Sequence, residues 1–244
     1  MYARKIVVPP DHATDQPCHV VPPISQQLRS LFVYQPLERH EADTVLFWEG
    51  DAVAHVFEVV EGILRIVKSL SGGRRVVIGF CYPGEVFGVM LKNLHLHSAE
   101  AATQVSLRRC DRVSCEIELS RRPELGPMLM ARLCTEMEAA QDQMILLARK
   151  TAEERVCSFL LQQARRLRGG RPTGVVIEIA MPRLDVADYL GLTQETVSRV
   201  IARLTVLGVI SAVGRRTIVI RSFEQLETHA GDGCELDSIS STPA

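Results

Sequence analysis

The spacing of apolar and polar residues changes twice along the chain and predicts three successive kinds of structure. From about His40 to Cys115, short apolar segments alternate with glycine-containing turns, which is typical of a compact antiparallel barrel or roll. Ser71, Gly72 and Gly73 predict one tight hairpin, because glycine accepts a positive φ without steric cost. The expected strands cover residues 45–48, 56–60, 63–68, 75–80 and 105–109.

A long helix is predicted after Pro123, where apolar residues recur at intervals of three and four. This seven-residue regularity favours a seam against a second copy of the chain, so we expect a homodimer. A helix that packs its apolar stripe on its own domain needs the same periodicity and is the alternative. The predicted seam consists of Met130, Leu133, Met137, Ala140, Met144 and Leu147.

The third pattern begins at Thr151 and predicts a small domain of helices and a hairpin. Thr151 and Glu154 have the Thr-x-x-Glu spacing of a capping box, which predicts a helix reaching about residue 168. From Phe223 onward the chain is acidic and loses its periodicity, which predicts a frayed tail. Between the end of this helix and Phe223 we expect a strand over 175–180, helices over 184–190 and 193–206, and a hairpin over 210–220 that turns near Gly214.

Together the patterns predict an α+β fold. The proline-rich start of the chain reads as irregular, with a short helix expected only around residues 24–31. The predicted parts are an irregular extension (1–30), an antiparallel β-roll (31–122), a dimerisation helix (123–150), a winged helix-turn-helix (151–222) and an acidic tail (223–244).

Residues 184–204 have the form of a helix-turn-helix, whose second helix enters the major groove of DNA. Gly191 permits the sharp turn, and Thr193 can cap the second helix. Glu195, Ser198 and Arg199 share one face of that helix, away from its apolar residues. Arginine can bind both acceptors of guanine, glutamate can accept from cytosine, and serine can contact either kind of edge. A merely solvated charged face is the alternative, which the preceding Ala-x-x-Leu-Gly-Leu-Thr sequence and the following hairpin disfavour.

The distribution of charge supports a DNA-binding end. The whole chain carries a formal net charge of −1, but residues 149–222 carry +7 and the remainder carries −8. A basic module attached to an acidic one suits a protein that neutralises phosphates with one end, so double-stranded DNA is the expected partner. Contacts beside the three base-reading residues are expected from Thr193, Gln194, Thr196, Arg203, Arg183, Arg215 and Arg216, and Arg149 and Lys150 are further candidates for phosphate.

Composition narrows the class of protein. Of the 244 residues, 46% are apolar and 23% charged, which is ordinary globular usage. No apolar run is long enough for a membrane span, and the N-terminus lacks the apolar core of a secretory signal, so we expect a cytoplasmic protein. Seven scattered cysteines without a Cys-x-x-Cys pair predict neither a disulfide framework nor a metal site. They are expected to behave as small hydrophobic residues.

Several segments resemble the CRP/FNR family of bacterial transcription regulators. In the second helix of the predicted helix-turn-helix, the resemblance lies in Gln-Glu-Thr-Val-Ser-Arg at 194–199. In the predicted roll it lies in residues 48–51, 59–62, 72–75 and 83–88, and overall it covers about 32–222. The resemblance implies a sensor-like β-roll of the cyclic-nucleotide-binding type, a dimer helix and a winged helix. It also implies a transcription activator whose dimers bind a palindrome and recruit RNA polymerase.

The branch of the family can be argued from particular residues. Glu195, Ser198 and Arg199 match the FNR-type reading head, which is associated with TTGA-type half-sites. Ser98 matches part of the phosphate pocket of the cAMP-responsive branch, but its arginine partner is missing and Glu100 would oppose a phosphate, so cAMP is not expected. Only Cys18 precedes the roll, where the oxygen sensors place three ligands of a [4Fe–4S] cluster, so no cluster is expected either. The chain is most similar to the FixK-like branch, which implies genes of microaerobic or anaerobic respiration or of nitrogen fixation.

Two sensing alternatives stay open within the same family. His95 and His97, with Cys81 nearby, raise the possibility of haem, against which exposed loop histidines are the commoner explanation. Oxidation of Cys157, in the first helix of the DNA-binding module, is a second hypothesis. No catalytic constellation is visible, so an enzyme is not expected. The competing hypothesis from another class is a roll that works as an enzyme or storage module with an incidental helix-turn-helix.

Overall fold

The computed structural model describes residues 27–89, 93–167 and 175–231, and shows a β-roll, a long helix and a small helical domain. The predictions for residues 1–26, for residue 168 at the expected end of the capped helix, and for the tail beyond 231 lie outside the described residues. At the start of the described chain, Arg29–Phe32 form one 3-10 turn that inserts Phe32 into the core. The expected α+β fold is confirmed.

The roll consists of two four-stranded antiparallel sheets that face each other. All five predicted strands are present within a few residues of their expected bounds, and three further strands are too short or too poor in apolar alternation to be predicted. In spatial order, the first sheet contains β1 (Glu38–His40), β8 (Val105–Asp111), β3 (His55–Glu61) and β6 (Val86–Phe87). The second contains β2 (Val45–Phe47), β7 (Ser98–Ala101), β4 (Leu64–Ser69) and β5 (Arg75–Cys81).

Three phenylalanines fill the space between the sheets. The ring of Phe57 lies 5.8 Å from that of Phe47 and 5.0 Å from that of Phe87, centroid to centroid. The turn from β3 to β4 depends on Gly62, which has φ +81°; a Cβ there would lie 2.1 Å from the carbonyl oxygen of Gln104. That position therefore excludes every side chain, both by its backbone conformation and by the close approach of a neighbouring strand.

Two helices follow the roll. Helix α1 (Arg112–Arg121) begins at Asp111, whose side chain accepts a hydrogen bond from the amide of Ser114 at 3.1 Å. It was not predicted, because its apolar residues are too sparse to show a helical period. Helix α2 (Leu125–Arg149) is the predicted long helix and spans 25 residues.

The C-terminal domain has the predicted winged helix-turn-helix order. The capping box is confirmed, since Thr151 accepts from the amide of Glu154 and the Glu154 carboxylate accepts from the amide of Thr151. In chain order the elements are α3 (Ala152–Arg166), β9 (Val175–Glu178), α4 (Arg183–Leu190), α5 (Gln194–Val206), β10 (Ile210–Val213), β11 (Thr217–Ile220) and α6 (Phe223–His229). The three strands form one antiparallel sheet in the order β10, β11, β9.

The prediction of a frayed tail from Phe223 is wrong for its first part. Ser222 caps α6, and the helix packs on α3 with Leu226 fully buried. The Nζ atom of Lys150 donates to the carbonyl of Ala230 at 2.9 Å and fixes the end of the helix. A seven-residue helix with one buried leucine carries too little periodicity to be seen in the sequence.

The roll and the C-terminal domain share one apolar core. Ile63, Val77 and Tyr82 of the roll belong to the same buried cluster as the inner faces of the C-terminal helices. The ring of Phe80 in β5 lies 5.4 Å from that of Tyr189 in α4, in an edge-on arrangement. The DNA-binding domain is thus seated directly on the roll as well as tethered through α2.

Candidate nucleic-acid interface

The turn between α4 and α5 has the geometry that the sequence predicted. Gly191 adopts the left-handed conformation at φ +62° and ends α4, with its amide donating to the carbonyl of Asp188 at 3.1 Å. Thr193 then caps α5 by accepting from the amide of Thr196 at 3.1 Å. These local contacts fix the angle at which α5 leaves the domain.

Helix α5 divides cleanly into a buried and an exposed face. Its buried side packs Val197, Val200, Ile201 and Leu204 into the domain core. The three predicted base-reading residues lie on the exposed side, where the side chain of Arg199 is 78% exposed and that of Glu195 is 72% exposed. We call Glu195, Ser198 and Arg199 the reading face. The structure brings these residues together, and their role toward bases stays a prediction.

The side chains of the reading face are held by local partners. Arg199 pairs with Glu195 one helical turn earlier, and the Ser198 hydroxyl donates to the carbonyl of Gln194 at 2.9 Å. An exposed pair at this spacing contributes only about 0.3–0.5 kcal/mol, so a base edge can replace either partner at small cost. The pair also holds the guanidinium on the reading face before any contact forms. Gln194 is exposed beside it, whereas the Thr196 hydroxyl bonds that of Thr193 at 2.8 Å.

The predicted phosphate contacts fall into two groups. Arg215 and Arg216 are exposed at the turn of the β10–β11 hairpin, which is the wing. Arg183 instead donates to the carbonyl of Arg215 at 3.1 Å and so supports the wing, and its burial lowers its pKa. Arg203 pairs with Glu153 at 3.1 Å, although most of its side chain remains exposed.

Of the two further phosphate candidates, Arg149 is exposed and Lys150 is a structural residue. Its Nζ atom donates to the Ser158 hydroxyl at 2.8 Å and to the carbonyl of Ala230. The lysine therefore joins the end of α2 to α3 and α6. A basic residue in a charged segment gives no sign in the sequence that its ammonium group points inward.

Sequence reasoning missed two residues that hold the helix-turn-helix on α2. Arg155 donates to the carbonyl of Leu190 at the end of α4 and to that of Leu147 in the last turn of α2, at 3.0 and 2.9 Å. Gln143 of α2 donates to the carbonyl of Tyr189 at 2.7 Å. In the sequence Arg155 is only a basic residue beside Val156 on a helix with an apolar face, and a solvated arginine would have the same surroundings.

Within the part of the chain that the structure describes, the three methionines of the predicted seam are largely uncovered. Met130, Met137 and Met144 are 62%, 57% and 67% exposed, and Leu133, Ala140 and Leu147 lie along the same stripe. The helix packs on its own chain through a different face, where Leu125 and Leu146 are buried. Among the described residues this exposure favours a seam against a second copy over packing on the same domain, and the dimer stays a prediction.

A cleft of about 370 Å³ lies between the roll and α2, and Cys81, His97, Arg132 and Glu136 are among its lining residues. His97 is half-buried at its edge. The expectation of two exposed loop histidines is wrong for His95, which is buried and stacks on Phe47 with 3.6 Å between ring centroids. Burial lowers the pKa of both imidazoles.

Two further expectations about single residues need correction. Glu100 does not line the cleft, because its carboxylate accepts from Arg65 at 2.8 Å and from Arg75 at 3.0 Å on the outer face of β7. The case against a cyclic nucleotide then depends on the missing arginine alone. Cys157 is fully buried in α3, and burial raises the pKa of its thiol to about 12, so little reactive thiolate exists near neutral pH.

In residues 27–89, 93–167 and 175–231, no three histidine, cysteine, aspartate or glutamate side chains are grouped so that they could bind a metal ion. None of the helices in those ranges combines the length and apolar character that crossing a membrane requires.

Removing the cap of the reading helix provides a local test of this geometry. Thr193→Ala is expected to lower the free energy of unfolding by about 1 kcal/mol, because an amide in the first turn of α5 loses its acceptor. Urea denaturation would measure the change. The matched control is Thr205→Ala, since the Thr205 hydroxyl only bonds the Ile201 carbonyl within α5 and alanine favours the helix. Equal losses in both variants would contradict the capping role.

The helix-turn-helix geometry agrees with comparisons to known proteins. A family model of the Crp-like helix-turn-helix domain matches residues 154–229, and one of the cyclic nucleotide-binding domain matches residues 37–119. The nitrogen fixation regulation protein FixK of Azorhizobium caulinodans is 40% identical over 177 residues, which are 72% of this chain and 71% of that protein. The chain belongs to the CRP/FNR family of transcription regulators.

Two more members of the CRP/FNR family illustrate the match. The transcriptional activator protein FnrL of Cereibacter sphaeroides is 32% identical over 212 residues, covering 85% of this chain and 86% of that protein. The solved structure of FixK2 from Bradyrhizobium japonicum, at 36% identity and a TM-score of 0.75, covers 80% of this chain and 97% of that one. The predicted similarity to the FixK-like branch is confirmed by the FixK protein of Azorhizobium caulinodans and by FixK2. At the family level these relatives are transcription regulators and not enzymes.

Proposed function

We propose that the protein is a homodimeric transcription activator that binds a palindrome with TTGA-type half-sites. The observation that carries the proposal is the reading face: Glu195, Ser198 and Arg199 lie together and exposed on a helix whose other side is buried. The helix begins at a capped turn, and the N-terminal part of a recognition helix is the part that reaches base edges in the major groove. Arg199 would bind the guanine of each half-site, and Glu195 would accept from a cytosine.

The wing would contribute affinity without sequence preference. Arg215 and Arg216 are exposed on the same domain as the reading face. Arginines in such a place bind phosphates and release counterions, which makes binding dependent on salt. Arg183 would act indirectly, by holding the wing through the Arg215 carbonyl.

Dimerisation would follow from the bare stripe on α2. A twofold axis along that stripe would bring Met130, Met137 and Met144 of one copy against the same residues of the other. Two reading faces would then enter successive major grooves about 34 Å apart. The apolar stripe thus supports a dimer and a palindromic site together.

The regulated genes are proposed from the relatives. FixK proteins are named as nitrogen fixation regulators, and FnrL as a transcriptional activator. We propose that this chain controls genes of nitrogen fixation or of microaerobic or anaerobic respiration, acting in the cytoplasm together with RNA polymerase. The cysteine spacing and the missing phosphate-binding arginine support action without an iron–sulfur cluster or cAMP. Haem is not part of the proposal, because His95 is buried inside the roll and burial raises the pKa of the Cys81 thiol, which disfavours the thiolate that would bind iron.

A gel-shift measurement tests the proposed function directly. The full-length protein is titrated against a duplex in which TTGA and TCAA half-sites are about six base pairs apart, and against a scrambled duplex of equal composition. We expect the palindrome to bind at least about 10³-fold more tightly at physiological salt. Equal affinity for both duplexes would overturn the proposal and favour a roll with an incidental helix-turn-helix. A preference for another sequence would retain DNA reading and overturn the TTGA assignment.

A further inference from the structure

A buried cluster of charges joins the roll to the first helix of the helix-turn-helix. At its centre is Arg65 of β4, which is only 4% exposed. Its three guanidinium nitrogens donate to three carboxylates: Glu100 at 2.8 Å, Asp185 at 2.9 Å and Asp43 at 2.7 Å. Glu100 and Asp43 belong to the roll, whereas Asp185 lies in the first turn of α4.

The two buried carboxylates of the cluster are matched by two guanidinium groups. Arg75 of β5 donates to Glu100 at 3.0 Å and approaches Asp185 to 3.9 Å, so two guanidinium groups face two buried carboxylates. The third carboxylate, that of Asp43, binds Arg65 from the protein surface, where its side chain is mostly exposed to solvent. Charges are retained in a protein interior when they are paired and hydrogen-bonded, as these are. Asp185 is 2% exposed and would be strongly disfavoured there without Arg65.

The contact beside the cluster is apolar, whereas α3 has its own polar contacts to the roll, from Arg166 to Glu85 at 2.7 Å and from Gln163 to the Tyr82 hydroxyl at 2.9 Å. Val77 and Phe80 of β5 pack beside Tyr189 of α4. Apolar burial is non-directional and tolerates small rotations. A guanidinium fork bonded to carboxylates from both domains has a fixed geometry, so it restricts the angle at which α4 meets the roll.

The docked arrangement leaves the DNA-facing side free. The roll contacts α4 through Asp185 and Tyr189, while the reading face on α5 and the arginines of the wing remain exposed. The cluster therefore holds the helix-turn-helix in place without covering its reading face. This favours a positioning role over an inhibitory one.

We propose that Arg65 is a positioning residue for DNA binding, which fixes the helix-turn-helix to the roll of the same chain through Asp185. In a dimer this contact would set the spacing and angle of the two reading faces, so that both half-sites of a palindrome are met together. The inference rests on the proposed function of a dimer that binds a palindrome. The contact between Arg65 and Asp185 connects the roll directly to the helix-turn-helix, without passing through α2.

The test measures the binding of the full-length wild type and of three variants to two duplexes. Arg65→Met removes the cation and keeps an unbranched side chain, Asp185→Asn removes the partner's charge, and a double variant combines them. The first duplex carries the palindrome and the second carries one half-site. Each substitution is expected to weaken binding to the palindrome by roughly 5- to 150-fold, the usual range of coupling between sites. Binding to the single half-site should change by less than about twofold, because the reading face is intact.

The double variant tests whether the two residues act as a pair. Its loss on the palindrome should match that of one single variant instead of the product of both, since the second substitution removes an interaction that is already lost. Arg108→Met is the matched control. It breaks another contact to a buried carboxylate, that of Glu58 at 3.2 Å, but entirely within the roll, and its DNA binding should be that of the wild type.

Hydrogen exchange makes the result independent of DNA. Amides of α4 and β5 should exchange faster in Arg65→Met and in Asp185→Asn, while those of β3 and β8 remain protected as in the wild type. If Arg65→Met does not fold, Asp185→Asn carries the test alone. Palindrome binding within twofold of the wild type, tighter binding, or equal losses on both duplexes would each overturn the positioning role. If the wild type itself does not prefer the palindrome, the proposed function fails. Unchanged hydrogen exchange in α4 and β5 would separately overturn the proposed connection between the roll and the helix-turn-helix.

Discussion

Replacing both Met137 and Met144 with glutamate is expected to convert a dimer into a monomer that no longer holds the palindrome. Both side chains are more than half exposed on the bare stripe of α2. Across a twofold axis each substituted position would face itself or a close neighbour, so the variant would place like charges in a desolvated seam. A monomer contacts one half-site at a time, and losing the second contact should weaken palindrome binding by about 10²–10⁴-fold. Sedimentation would measure the mass in solution, and gel shift the affinity.

A second pair of exposed apolar residues provides the control for this variant. Val113 and Ile117 on α1 are 61% and 46% exposed, and replacing both with glutamate adds the same charge on a different helix. That variant should remain a dimer with nearly wild-type affinity. An intact dimer with glutamates at 137 and 144 would show that the seam lies elsewhere. A monomer that still binds the palindrome as tightly as the wild type would refute the argument from two half-sites.

The reading head could be predicted because its determinants are local in sequence. Gly191 ends one helix and Thr193 starts the next two residues later, and the buried positions of α5 recur at helical intervals. Each feature depends on neighbours within one or two turns, where spacing and conformation are closely linked. The strands of the roll were found for a similar reason, since glycine turns divide them. The family resemblance added the order of the domains, which periodicity alone does not give.

The contacts between domains could not be predicted, because they join residues far apart in sequence. Arg65 and Asp185 are 120 positions apart, and nothing around either residue distinguishes a buried ion pair from two solvated charges. Glu100 was expected to oppose a phosphate and instead binds Arg65 and Arg75, which the sequence could not show for the same reason. Strand β7 alternates small and polar residues, and the pattern does not say which domain covers its polar side. Helix α6 was missed because a single leucine gives no period, although its burial against α3 is complete.

Replacing Arg199 with alanine is expected to weaken specific binding by about 1–3 kcal/mol per half-site, with a much smaller loss on random DNA. The guanidinium is exposed at the position from which it can bind two acceptors of one guanine. Alanine removes both bonds and the discrimination they give. A dimer carries two copies, so the loss applies twice on a palindrome and about once on a duplex with a single half-site. Titrations with the guanine replaced at one or both half-sites would show whether the variant becomes indifferent to that base.

Two further variants separate base reading from its electrostatic alternatives. Arg199→Ala also leaves Glu195 unpaired near the phosphates, so Glu195→Ala and the double variant are measured with it. If Arg199 reads the guanine, the double variant should still be indifferent to that base. Arg216→Ala is the matched cation control: it should lower affinity about equally on all sequences and reduce the salt dependence by the equivalent of about one phosphate contact. Equal losses on specific and random DNA for Arg199→Ala would make this arginine another phosphate ligand, and the sequence preference would then have to come from the rest of the reading face.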